Sequence, residues 1–264
     1  ECSRYCRIRC GAEMRLDKFL AEKFGSRSRA AAAIERGCVT VNGKVQPASY
    51  TVKPDDDIAV SESGQSFVSA GGYKLAKALS DFGYSPEGKI FADIGASTGG
   101  FTDCLLKAGA KKVYCIDVGE SQLDKSLLGK NIVVIDNFNA RNLSKDLFAE
   151  ELDGITIDVS FISLTYILEA VSEVLCHAKS VLALIKPQFE CESRSVGKNG
   201  IVRGADKHRQ IIKKIYDFAV KCSLAPVALT NAPEIKGKNL EYVVQLEKEG
   251  APLPFDGLIK GVKL

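Results

Sequence analysis

From residue 89 onward the apolar residues fall into short dense runs: "KIFADIG", "KVYCIDV", "NIVVID", "GITIDVS", "SVLALIK", "PVALT" and "EYVVQL". Runs of this length with no polar alternation read as strands buried on both faces. Helical periodicity fills the intervals. The clearest case is "FISLTYILEAVSEVL", apolar at 161, 164, 167, 168, 171, 174 and 175, which predicts a helix starting near Phe161. Strands alternating with helices predict a doubly wound, Rossmann-like α/β sheet of seven strands, its last hairpin antiparallel. Ligands bind such sheets at the carboxyl ends of the strands.

The front of the chain keeps a different rhythm. Leu16, Phe19, Leu20 and Phe24 share one helical face that Gly25 closes, and Ser26 or Ser28 can cap a second helix, "RSRAAAAIER". "VTVNGKV" then predicts a hairpin with Asn42-Gly43 in a type I′ turn, and "DDDIAV" a further strand. This is the pattern of a small α+β domain over 14–61. The polar, glycine-rich 62–71 follows as a linker, then the larger domain over 72–248 and a tail over 249–264. Met14 is the only methionine, and patterned sequence begins there. Residues 1–13 are therefore expected to be an extension, disordered or ahead of the natural start.

Composition narrows the classes. No apolar stretch reaches the roughly 18 residues of a membrane span, and the first 16 residues lack the apolar core of a signal peptide. The expectation is a cytoplasmic protein with no membrane partner and reduced thiols. Cys2, Cys6 and Cys10 form C-x3-C-x3-C, which matches no usual ligand spacing, so no metal is expected. A net charge of +3 is too slight to prove a nucleic-acid partner. Its distribution says more: Arg15, Lys18, Arg27, Arg29 and Lys44 gather in the front domain, the first four near helix ends where backbone N–H groups also attract phosphate.

The first strand of the larger domain runs into "FADIGASTGGFTDCLL". Gly95, Gly99 and Gly100 allow a tight turn and close approach to a ligand, with Ser97 and Thr98 between them. Asp117 ends the second strand, 24 residues after Asp93, where a carboxylate can accept from ribose hydroxyls. The dinucleotide fingerprint G-x-G-x-x-G is absent. Asp93 argues further against a pyrophosphate, which it would repel, and for a cationic sulfonium ligand carrying an amino group, which it would attract. S-adenosylmethionine is the expected cofactor.

"DIGASTGGFT", "GGYKL", "TIDVSFISL", "IKPQFE", "VGKNGIVR" and "NLEY" resemble, in order, the motifs of the hemolysin-like TlyA family, relatives of the FtsJ-type ribose methyltransferases. "RLDKFL" with "VTVNGK" resembles the RNA-binding domain of ribosomal protein S4. Together the likeness spans about 14–247. It implies a methyltransferase sheet behind an RNA-binding domain, with transfer of a methyl group to a ribose 2′-hydroxyl of ribosomal RNA, at cytidine, in free rRNA or ribosomal subunits. It places a Lys–Asp–Lys–Glu tetrad on Lys74, Asp158, Lys186 and Glu241. Val118 and Asn139 join the implied cofactor contacts, as does Asp158. In this picture the two lysines repel each other while the two carboxylates orient them. "ESRSVGKNGIVRG" reads as a lid loop. Rival readings are a cytolysin, after the family's hemolysin name, and a non-catalytic assembly factor. The sequence leaves oligomeric state open.

Overall fold

The computed structural model describes residues 5–8, 13–35, 38–61, 67–176, 179–191, 197, 200–235 and 237–264. The front domain packs three short helices, α1 (Leu16–Phe19), α2 (Ala21–Phe24) and α3 (Arg27–Glu35), on small sheets. The expected first helix is divided at Leu20, and Gly25 at φ 77° ends its second piece. Leu16, Leu20, Ala30, Ile34, Val39, Val41, Val52, Ile58 and Val60 form its core.

Among the described residues five strands serve this domain: β1 (Tyr5–Ile8), β2 (Met14–Arg15), β3 (Val39–Val41), β4 (Thr51–Val52) and β5 (Ile58–Ser61). The type I′ turn is present, with Asn42 at φ 52° and Gly43 at φ 75°. The chain does not run back along β3 beyond a single bridge from Val41 to Lys44; β5 pairs with the opposite edge of β3. The expectation of a disordered extension is corrected over Tyr5–Ile8. That segment pairs antiparallel with the other edge of β5, whose backbone groups would otherwise stand open. Cys2, Cys10 and the Cys6 side chain lie outside the described residues.

The larger domain is built on seven strands, β6 (Ile90–Ile94), β7 (Lys112–Ile116), β8 (Ile132–Ile135), β9 (Gly154–Ile157), β10 (Ser180–Ile185), β11 (Leu224–Asn231) and β12 (Tyr242–Lys248). Their order across the sheet is β11-β12-β10-β9-β6-β7-β8, with β12 antiparallel to both its neighbours. The chain direction across the sheet reverses at β6, which lies between β7 and β9, so the crevice opens at the carboxyl ends of β6 and β9. Helices α4 (Ala70–Phe82) and α5 (Gly100–Lys107) cover one face; α6 (Thr165–Val174) and α8 (Ala205–Lys221) cover the other. The short α7 (Pro187–Glu190) follows β10.

Three sequence expectations need correction. Phe67 is buried with the α4–α5 core, so the larger domain starts by residue 67 and the linker is shorter than 62–71. The connections around β8 contain only 3₁₀ turns at 125–127, 140–142 and 145–147 rather than α-helices; Asp124 and Asn139 cap the first two by accepting from the backbone two residues on. The helix expected from Phe161 starts at Thr165, and Phe161 stands 91% exposed at φ 64°. The tail folds as α9 (Phe255–Leu258), with Leu258 and Ile259 buried and Lys263 bonded through its backbone to the Asn231 amide. No described helix is long and apolar enough to cross a membrane.

Candidate active site

The loop after β6 owes its shape to two glycines and one carboxylate. At φ 80° Gly95 is left-handed, and a Cβ there would stand 2.6 Å from the Asp158 carbonyl oxygen. That close approach lets the loops after β6 and β9 share one wall. Ser97 follows at φ 47°, and its N–H donates to Asp117 Oδ2 at 2.8 Å. Gly119 N–H donates to Asp117 Oδ1 at 2.8 Å. Asp117 thus ties together the loops after β6 and β7, and each of its oxygens keeps a lone pair for a ligand.

A cavity of about 570 Å³ opens here, lined by Gly95, Ser97, Asp117, Val118, Asn139 and Asp158 among others. Val118 is 71% exposed and offers an apolar face beside the Asp117 carboxylate. Asn139 caps the 140–142 turn by accepting from Arg141 N–H at 3.1 Å. A smaller adjoining cavity of about 200 Å³ is lined by Ser69, Gly71, Thr98, Gly100, Ser160 and Lys186 among others. Gly95, Ser97, Asp158 and Ser160 border both. The set fits S-adenosylmethionine: a carboxylate and an apolar face for a nucleoside in the larger space, and a cradle a Cβ would fill leading to the smaller one.

Two expected cofactor contacts fall elsewhere. Asp93 lines neither cavity. It is fully buried, and its oxygens accept from Thr102 Oγ1 at 2.7 Å and Thr156 Oγ1 at 2.9 Å. The β6–β9 register sets Asp93 opposite Thr156 and so aims the carboxylate into the sheet rather than at a ligand. Burial, with Asp158 as a lesser influence, pushes the Asp93 carboxyl up to about 6. Gly99, at φ 89°, serves packing: a Cβ there would strike Leu127 and Leu123.

The four tetrad positions come together as two ion pairs. Lys186 Nζ lies 2.6 Å from Asp158 Oδ1 and donates to Ser160 Oγ at 2.8 Å. Lys74 Nζ, from α4, lies 2.6 Å from Glu241 Oε2. Sheet geometry explains the convergence. The β10–β12 register ends at Ile185 opposite Tyr242, which brings Lys186 and Glu241 to the same end of adjacent strands. Pro187 then opens α7, so the chain leaves the sheet at Lys186. Each ammonium has a carboxylate at contact distance, and attraction within each pair fixes where the lysine sits.

Three features escaped the sequence reading. Ser160 holds Lys186, with no signal beyond its place in "TIDVSFISL". Phe161 lines the larger cavity and rests on Phe189, ring centroids 5.1 Å apart; apolar periodicity had placed it inside a helix. Ser69 and Gly71 reach the smaller cavity from the start of α4. His208, one of two histidines, is buried away from the cavities and meets Val202 O and Tyr242 Oη. His177 lies outside the described residues.

In the front domain Arg15 and Arg27 both close on buried Asp17, at 2.8 and 3.1 Å. The Arg15 hydrogen bond, with Arg27 beside it, holds the Asp17 carboxyl at about 2. Both arginines remain about half exposed, while Lys18 and Lys44 are exposed. The Arg29 side chain lies outside the described residues. Among the described residues no cluster of three His, Cys, Asp or Glu side chains is arranged to hold a metal ion.

Known proteins resemble both parts. Residues 67–248 match the FtsJ-like methyltransferase family and residues 14–58 the S4 domain. Hemolysin A of Brachyspira hyodysenteriae is 44% identical over 237 residues, covering 87% of this chain and 98% of that one. The 16S/23S rRNA (cytidine-2′-O)-methyltransferase TlyA of Mycobacterium tuberculosis is 38% identical over 229 residues, 85% of each chain. A solved Streptococcus thermophilus protein, provisionally assigned as a hemolysin, superposes with a TM-score of 0.70 at 32% identity, covering 95% of this chain and 96% of its own. With its cofactor cradle, its paired lysines and carboxylates and an S4 domain ahead of the sheet, the chain belongs to the FtsJ-like methyltransferase family and uses S-adenosylmethionine.

Proposed function

We propose that this enzyme methylates a ribose 2′-hydroxyl of ribosomal RNA, at cytidine, in the cytoplasm, either on free rRNA or on ribosomal subunits. The observation that carries the reading is the Lys186–Asp158 pair at 2.6 Å, set where the two cavities meet. The relatives named as rRNA (cytidine-2′-O)-methyltransferases support the substrate. The cofactor supplies a methyl carbon attached to a positively charged sulfur. Asp117, Val118 and Asn139 would hold its nucleoside end, and Gly71, Thr98 and Gly100 its amino-acid end.

A ribose hydroxyl is a poor nucleophile near neutral pH and needs an oriented proton acceptor. Lys186, when in its amine form, would accept that proton as the ribose oxygen takes up the methyl group that the cofactor supplies. Asp158 then stabilises the ammonium so produced, and Ser160 keeps the side chain aimed. Lys74 and Glu241 hold the ribose from the other side. Phe161 offers an exposed face on which a base drawn out of its stack can rest. The front domain contributes phosphate and shape contacts through Lys18, Lys44 and the outer faces of Arg15 and Arg27.

The test is single-turnover transfer at saturating cofactor and rRNA. Lys186→Ala should slow it by about 10²–10⁴, the usual worth of a positioned acid–base group. Lys186→Arg should stay slow, because a guanidinium remains protonated. An alanine variant within a few-fold of the parent would refute the assignment of Lys186, and an active arginine variant would leave it only a positioning role.

A further inference from the structure

Among the described residues the front domain touches the catalytic domain at Cys38 and at Val45, and each contact falls on a segment that carries one half of the Lys74–Glu241 pair. On the first, the Cys38 thiol meets the Tyr73 hydroxyl, one residue before Lys74 on α4. Tyr73 is itself steadied: Phe67 N–H donates to its hydroxyl at 3.4 Å, and the two rings meet edge to face at 4.9 Å. On the second, Val45 bridges in parallel to Ile235, with Val45 N–H donating to Glu234 O at 3.4 Å. Val45 is 6% exposed yet is not among the residues of the front domain's own core.

The segment it meets, 232–241, ends at Glu241. It closes on itself, since Ala232 N–H donates to Glu241 O at 2.9 Å. It is also strapped from outside, where Lys263 Nζ lies 2.7 Å from both Glu234 carboxylate oxygens. Lys74 sits on a helix contacted by Cys38, and Glu241 on a loop contacted by Val45. A displacement of the front domain therefore acts on both ends of one 2.6 Å ion pair.

Resting on the proposed rRNA methylation, we propose that docking of the RNA-binding domain positions the Lys74–Glu241 pair. The front domain thereby contributes to the methyl-transfer rate at saturating RNA, beyond its share of affinity. Tyr73 is the positioning residue on the α4 side and Val45 on the loop side; neither lines either cavity. A misplacement near 1 Å costs on the order of 10² in rate. A loosened dock should thus lower the rate about tenfold or more.

The experiment compares the full chain with Tyr73→Phe, Val45→Asp and Cys38→Ser. Three quantities are read on each: single-turnover rate at saturating S-adenosylmethionine and rRNA, rRNA Kd, and melting temperature. The expected result is a rate about tenfold lower for Tyr73→Phe and Val45→Asp, with rRNA Kd within about threefold. Cys38→Ser, which keeps a hydrogen-bonding partner for Tyr73, should stay near the parent. Unchanged saturating rates with weakened rRNA binding would overturn the proposal and leave the front domain as an affinity module. A lowered melting temperature with an unchanged rate per active site would also overturn it. A parent that binds cofactor but transfers no methyl group to rRNA would sink the function itself, and this inference with it.

Discussion

Replacing Gly95 by alanine tests the cofactor cradle with a single carbon. Gly95 sits at φ 80°, where an L-residue is strained by roughly 1–2 kcal/mol. The added Cβ would also stand 2.6 Å from Asp158 O and 3.1 Å from Val159 Cγ1. The first partner is backbone and cannot swing aside, so the loops after β6 and β9 must part, at a cost of about 1–3 kcal/mol typical of overpacking. These loops are the common wall of both cavities. If the whole cost, about 2–5 kcal/mol, appears as lost cofactor binding, affinity falls roughly 30-fold to several thousand-fold, at about 1.4 kcal/mol per tenfold. Calorimetric titration with S-adenosylmethionine measures it. Gly43→Ala supplies the control, since Gly43 is equally left-handed at φ 75° but has nothing within 4 Å of its Cβ position. Cofactor affinity for Gly95→Ala within threefold of the parent would refute the reasoning, as would an equal loss in the Gly43 variant.

Three further outcomes are expected. The Asp93 carboxyl is raised from an ordinary 3.8 to about 6 by burial, so its protonated form favours the fold. That stability is fully present below pH 4 and lost as pH rises through 6, by about 3 kcal/mol at 1.36 kcal/mol per pKa unit. Melting curves of Asp93→Asn should therefore gain on the parent between pH 4 and 6 and hold the gain above it; a constant offset across that range contradicts the assignment. Phe161→Gly should relieve left-handed strain at φ 64° without lowering the melting temperature, yet slow methyl transfer at least tenfold; an undiminished rate removes Phe161 from the substrate site. Lys18→Ala with Lys44→Ala should reduce the salt dependence of rRNA binding by about one per lost phosphate contact, with cofactor affinity unchanged. Loss of cofactor affinity in that double variant would contradict the separation of roles.

The inner strands β6, β7, β9 and β10 were legible because burial on both faces leaves unbroken apolar runs, whereas edge strand β8 carries the same run with Val133 and Val134 exposed. Asp117 was legible too, since a carboxylate closing the second strand has little to do except meet a ligand or a loop, and its oxygens accept from the backbone of the loops after β6 and β7. Asp93 shows where that logic stops. Spacing places a carboxylate at the strand end but does not say which way it points; only the β6–β9 register reveals Thr156 as its partner. Phe161 fails for a related reason. Periodicity counts it as one more apolar position, although a non-glycine residue at positive φ on an exposed loop has the same letter as a core phenylalanine. The tetrad residues were found through motif resemblance, whereas their division into two ion pairs depends on which strands are neighbours.

The contact of α4 with α5 carries a lesson for anyone randomising this enzyme. A Cβ on Gly72 would fall 2.9 Å from Gly100 O, and one on Gly100 would fall 3.0 Å from Gly72 N. Phe67 and Ser69 Oγ stand closer still, but the backbone contacts persist wherever those side chains turn. A selection library that varies both codons should return glycine at each, and single-site variants should not rescue one another. The helix bearing Lys74 and the helix that opens at the cofactor loop are thus one module for engineering purposes. A graft that changes substrate preference should carry residues 69–107 as a block, since exchanging either helix alone would break the seam.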